Sequence, residues 1–372
     1  MSLILRAFFF TPNGMIDMKK LFFVLTLALF SNQTFTQTAP TIGSAEKHLK
    51  NLRQLTFGGD NAEAYFSFDG KLLTMQSNHS KWGLKCDQIF MVDIEKAAGD
   101  TAYKPILIST GLGRTTCSYF LKGDQHIIYA STHLGNKDCP PTPPAHQGGK
   151  YLWSIYDTYD IFVADLKGNI VAQLTNTPGY DAEATVSPQG DKIVFTSTRS
   201  GDLELWTMDV DGKNLKQVTF GLGYDGGAFF SPDGKRLVFR ASRPKTDEEI
   251  KEYKEFLAQG LVAPTQMEIY TCNVDGSDLK QITHLGKANW APFFHPSGKK
   301  IIFSSNHNAP RGYNFNLFMI NDDGTELEQI TTESIFNAFP MFSTDGKRLI
   351  FSSNRNNNGT RDTNLFIADW VD

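Results

Sequence analysis

The stretch FSPDGKRLVF (230–239) sets the frame for the whole chain. Ser-Pro-Asp-Gly-Lys is turn chemistry: Pro fixes φ near −65°, and Gly accepts the positive φ that a tight turn needs. The apolar residues on either side read as two antiparallel strands, which the turn joins into a hairpin. The same pattern recurs as FSFDGKLLTM (66–75), YFLKGDQHIIYA (119–130), VSPQGDKIVF (186–195), FHPSGKKIIF (294–303) and FSTDGKRLIF (342–351). The turn glycines are Gly70, Gly123, Gly190, Gly234, Gly298 and Gly346, which makes six copies of one unit.

A second hairpin follows each of the first. DGKNLKQVT (211–219), DGSDLKQIT (275–283) and DDGTELEQIT (322–331) place Asp-Gly before a strand ending in Gln-apolar-Thr, and KGNIVAQLT (167–175) is a variant. Asp-Gly between apolar runs is a strong hairpin signal. Each unit therefore holds four antiparallel strands, A to D, and six such units predict an all-β, six-bladed β-propeller. The last unit stops after NLFIADWV (364–371), without its Gln-apolar-Thr strand, while RQLTF (53–57) is an orphan strand of that type. The N-terminal strand is thus expected to complete the last blade, which removes two open sheet edges.

These Ser-Pro-Asp-Gly-Lys hairpins with their Asp-Gly…Gln-apolar-Thr partners resemble the WD-like repeats of the TolB-type propellers. Similar repeats occur in the propellers of prolyl-oligopeptidase-type enzymes and of oligogalacturonate lyases. The resemblance spans about residues 52–372. It implies the fold; a single fold carries many functions, so it does not imply one activity.

Lys19 and Lys20, the apolar run Leu21–Phe30 and a polar stretch after it read as a secretory signal. The run is shorter than the roughly 20 residues that a spanning helix needs, so no stable membrane span is expected once the signal is removed. The expected organisation is an N-terminal extension with signal over 1–36, a linker over 37–50 and the propeller over 51–372. The protein is expected to be exported, to the periplasm or beyond. Export permits disulfides among Cys86, Cys117, Cys139 and Cys272, with three connectivities open. The net charge of −4 and the absence of a basic run exclude a duplex-binding surface, and no nucleic-acid partner is expected.

In this strand order the D–A and B–C loops share one face. Variation is concentrated in two long B–C loops there, His133 to about Asp160 and Pro244 to Pro264. In the second, Thr246 and Glu249 form a capping-box pattern. Ile250, Tyr253 and Leu257 recur at helical spacing, and Gly260 is placed to stop the helix.

The ends of the six B strands place His79, His133, Arg199, Arg243, His307 and Arg355 at one matched position. Such a set suits an anionic ligand, and the three histidines are also candidate metal ligands. Counting back seven residues from each turn glycine places Glu63, Thr116, Glu183, Gly227, Ala291 and Phe339 at the channel. Two residues earlier stand Asn61, Arg114, Asp181, Asp225, Asn289 and Asn337. Glu63, Glu183, Asp181 and Asp225 are the candidate acids, and Trp290 is a candidate stacking surface.

No Gly-x-Ser-x-Gly elbow, His-Glu-x-x-His or phosphate-loop motif is present, so no catalytic residue is assigned. The favoured reading is a monomeric binding module for a cell-envelope protein or an anionic ligand, with no cofactor required. A metal-assisted lyase or hydrolase acting on an acidic oligosaccharide and a purely structural scaffold are the alternatives.

Overall fold

The computed structural model describes residues 46–143, 146–147, 149–310 and 312–372. The expected signal segment lies outside the described residues. Six four-stranded antiparallel sheets are arranged in sequence as the blades of a propeller. Their A strands are Asp60–Phe66, Thr115–Phe120, Asp181–Val186, Asp225–Phe230, Asn289–Phe294 and Asn337–Phe342. Each A strand touches the A strands of both neighbours, and the last touches the first. The sixth blade takes its outer strand from the other end of the chain: Leu49–Gln54 pairs with Asn364–Trp370, with Leu49 opposite Trp370 and Gln54 opposite Phe366. The ladder opens at Leu49, two residues before the expected boundary at 51.

The middles of the B strands are rich in apolar residues because both blade faces are covered by neighbours. Met75, Tyr129, Phe195, Phe239, Phe303 and Phe351 occupy one matched B-strand position and are all buried.

The Gln-apolar-Thr motif has a specific hydrogen-bonding role. Thr219 Oγ1 accepts from Leu205 N at the start of the adjacent C strand, and Thr175, Thr283, Thr331 and Thr56 make the same bond to Ile161, Ile269, Leu317 and Leu365. The Gln two residues earlier donates to the Thr carbonyl, as in Gln217 Nε2 to Thr219 O at 2.8 Å. The motif thus satisfies backbone groups where the short D strand ends, groups that would otherwise be buried without partners. The Ser of the A–B turn acts similarly. Ser231 Oγ donates to Asp233 Oδ1 at 2.6 Å, and Gly234 sits at φ +71°.

Every A strand carries a bulge. Register shifts fall after Ala62, Thr116, Ala182, Gly226, Trp290 and Ala338. Glu63, Cys117, Glu183, Gly227, Ala291 and Phe339 there have positive φ. In blade 2 this corrects the sequence alignment by one residue: Cys117, not Thr116, is the bulge residue, and Thr115, not Arg114, stands two before it. The cause lies in the turn. Asp124, at φ +56° with its N–H bonded to Leu121 O, takes the place held by Gly70 in blade 1, so counting from Gly123 misplaces the strand.

Candidate functional site

The six bulge residues line one cavity of about 1070 Å³ on the D–A and B–C loop face. Positive φ there turns each side chain out of the regular pleat, so the A-strand bulges determine what the cavity displays. Its walls include Trp153, Tyr156, Tyr159, Tyr180, Tyr224 and Trp290. Tyr65 and Phe229 form its inner end. They pack with Tyr119 and Phe293 at centroid distances of 5.2–6.2 Å and fill the middle of the channel. Phe229 also lines a smaller, apolar cavity of about 140 Å³ on the opposite face.

The two long B–C loops roof the cavity jointly. Trp153–Ser154 of the first pairs with Leu261–Val262 of the second. Ile155 N donates to Gly260 O at 2.7 Å, and Lys150 is ion-paired with Glu252. The expected helix is present as Asp247–Leu257, with the Thr246–Glu249 capping box formed. Tyr253 and Leu257 pack into the aromatic cluster beneath the roof. A disulfide from Cys86 to Cys139 ties the first loop to blade 1, while Cys117 and Cys272 are free.

A buried ion pair lies inside the cavity. Glu183 Oε1 accepts from the Tyr224 hydroxyl at 2.7 Å and from Arg240, while its Oε2 accepts from Thr196 Oγ1 at 2.7 Å and Gly227 N at 2.8 Å. Burial works against this carboxylate's charge, but Arg240 and the Tyr224 and Thr196 hydroxyls hold it below the usual carboxylate range. The Arg240 guanidinium also lies 5.2 Å from the Trp153 ring centroid and 5.0 Å from that of Tyr224.

Glu63, on the blade 1 wall, has no such partner. Its Oε2 is sealed from solvent without a hydrogen bond. Burial pushes the Glu63 carboxyl up to about 7, against the lowering effect of the Cys117 thiol, and the nearby Glu183 charge adds to the rise. Burial, reinforced by Glu63 and Glu183, likewise raises the Cys117 thiol well above its ordinary value.

Of the residues expected at the site, Glu63, Glu183 and Trp290 line this cavity, whereas the six matched B-strand-end residues do not. Arg199 donates to Asp181 at 2.7 Å. Arg243 is paired with both Asp225 oxygens. Arg355 takes its carboxylate from Glu46, with two bonds of 3.0 Å. Each arginine also stacks on aromatic residues of its own blade, for example Arg243 5.1 Å from Tyr270. In the other three blades the A strand offers Asn61, Thr115 or Asn289, and the matched residue is a histidine. His133 and His307 bond Ser131 and Ser305 at 2.9 and 3.0 Å, and His79 stacks on Trp82 at 4.5 Å. Burial lowers all three, His307 to about 4. Each arginine thus has a carboxylate paired with it, whereas histidine stands where the A strand offers none. Among the described residues no three His, Cys, Asp or Glu side chains form a group that could hold a metal ion.

Sequence reasoning missed Arg240, Tyr224 and Cys117. Arg240 did leave a signal, because it is a charged residue inside the apolar strand Arg236–Ala241.

Comparison with known proteins agrees with this architecture. Residues 153–259 match the TolB beta propeller domain family. A putative TolB from Agrobacterium tumefaciens is similar in structure, with a TM-score of 0.54 at 20% identity, over 84% of this chain and 91% of that one. TolB from Acinetobacter baumannii is similar with a TM-score of 0.50 at 18% identity, over 84% of this chain but 64% of that one. An oligogalacturonate lyase in complex with manganese gives a TM-score of 0.49 at 12% identity, over 84% of this chain and 90% of that one. No curated protein matches the sequence. Residues 153–259 thus match a TolB-type propeller domain, and the chain as a whole folds as a six-bladed β-propeller, the fold it shares with the two TolB structures.

Proposed function

We propose that the protein is an exported binding module that takes a segment of a protein partner into the roofed aromatic cavity. The observation that carries this reading is the cavity itself. It holds about 1070 Å³, at the upper end of ordinary ligand sites, and is walled by aromatic side chains with the Glu183–Arg240 pair among them. Aromatic residues and arginine are the side chains that anchor protein partners most strongly. Leu112, Leu134, Phe220 and Ile335 are exposed on D–A and B–C loops of the same face and supply apolar area there. Export is supported by the signal-like segment before residue 31 and by the Cys86–Cys139 disulfide, since such bonds persist in oxidising compartments.

Site-specific photocrosslinking in the native host tests the reading. A crosslinker at position 134 or 335 is expected to trap one discrete protein, and one at Thr344 on the opposite face is not. Equal adducts from both faces, or none from 134 and 335, would overturn it. Binding of uronate oligomers without a protein adduct would instead favour the acidic-saccharide ligand.

A further inference from the structure

We infer that the group inserted deepest into the cavity is an organic cation, an ammonium or guanidinium carried on an apolar or aromatic stem, and that Glu63 receives it. This rests on the cavity being the binding site, and it names the chemistry that the site selects.

The inference starts from charge balance. The charged side chains facing Glu63 are Glu183 and Arg240 across the cavity and Asp87 at blade 1, with the Cys117 thiol of blade 2 and the Tyr65 hydroxyl alongside. Arg240 is committed to Glu183, and Asp87 is committed to Arg114. The lining also carries Lys150, which is paired with Glu252, and Lys287, which donates to Ala309 O; Glu63 is the lining carboxyl without an ionic partner of its own among the described residues.

Hydrogen bonding points the same way. Glu63 Oε2 is buried without a donor, while the residue as a whole keeps partial exposure where it lines the cavity. A buried carboxyl short of donors is costly to maintain in its charged form, and a ligand N–H at the part of Glu63 that faces the cavity would offset that cost. Beside Glu63, Thr116 Oγ1 and Cys117 N both donate to Gln76 Oε1 and are thereby engaged away from it. The walls suit the stem of such a ligand: Tyr159, Tyr180 and Trp290 present ring surface in the same cavity, where a cation gains from aromatic faces.

Glu63 must ionise to hold the cation, and burial alone pushes the opposite way. Binding therefore releases a proton below about pH 7 and none well above it.

Tyramine and its neutral counterpart 4-ethylphenol are suitable probes, titrated calorimetrically into the full chain. At about pH 8 tyramine is expected to bind at least about tenfold more tightly, a difference of about 1.4 kcal/mol. That preference should shrink toward about pH 5.5 as Glu63 protonates. Glu63→Gln should abolish it. Proton release is read on the unaltered protein from titrations in buffers of different ionisation enthalpy, so the test does not depend on the variant folding. Equal affinity for the two probes, or a preference that survives Glu63→Gln, overturns the inference and leaves the binding role standing. If neither probe binds and the rim crosslinks are also absent, both readings fall.

Discussion

Arg240 and Glu183 form an ion pair whose members are each about nine-tenths buried, at 9% side-chain exposure. Such a pair contributes little relative to an apolar substitute, but removing one partner leaves an uncompensated charge that costs about 3–5 kcal/mol. Arg240→Met is therefore expected to lower unfolding stability by about that amount in urea titrations at neutral pH; a loss under about 1 kcal/mol would mean that water reaches Glu183. Glu63 behaves in the opposite sense. Its folded-state pKa of about 7 lies above the ordinary 4.5, so the folded protein holds a proton that the unfolded chain has released. Stability from this group is complete below about pH 4.5 and is lost as pH rises through 7. Glu63→Gln is expected to stabilise the protein by about 1–3 kcal/mol at about pH 8 and to change little at about pH 4, read from paired melts at the two pH values. The sequence placed both acids at the channel by counting from the turns. It could not show that Arg355 finds its carboxylate in Glu46, 309 positions away, because that contact exists only once the ring is shut.

Elements were more legible than side chains because turn chemistry is local. Four strands per repeat, the Thr246 cap and the stop at Gly260 were all readable from neighbouring residues. The exception was blade 2, where Asp124 adopts the left-handed conformation usually given to Gly and displaces the frame by one. The roof was invisible for a different reason: Trp153–Ser154 and Leu261–Val262 are two-residue strands with no periodicity, and they become a sheet only by meeting. Their register depends on the anchoring of the first loop. The Cys86–Cys139 bond spans 53 residues, for which loop-closure entropy gives a stabilisation of up to roughly 4 kcal/mol. Replacing both cysteines with serine is expected to lower the melting temperature and to open the segment around 134–152 to limited proteolysis, mapped by mass spectrometry. A digestion pattern unchanged by the replacement would show that the Trp153 strand and the Lys150–Glu252 pair hold the roof unaided.

At the scale of the molecule, closure rests on one ladder that joins the two ends of the described chain. Strand Leu49–Gln54 covers the edge of Asn364–Trp370, His48 Nδ1 lies 2.6 Å from Val371 O, and the His48 ring stacks on Trp370 at 4.7 Å. Removing residues through Gln54 strips this edge and also leaves Arg355, 8% exposed, without Glu46. Two penalties then coincide: an unpaired strand that invites association between molecules, and a buried charge costing about 3 kcal/mol or more. The truncated chain is expected to aggregate or to lose its single unfolding transition. A circular permutant makes the opposite change, joining Asp372 to Glu46 through a short flexible linker and opening the turn between Lys122 and Asp124. It keeps every blade and the closing ladder, so it should melt in one transition close to the parent. Because the A strands meet in an unbroken circuit, cooperativity should depend on the ring being complete and not on where the chain begins. A truncated protein that melts like the parent would show that the blades stand individually and that the cavity does not require the closed ring, whereas a permutant that cannot fold although its opened turn is exposed would show that a closed ring is not sufficient and that the order of the blades along the chain matters.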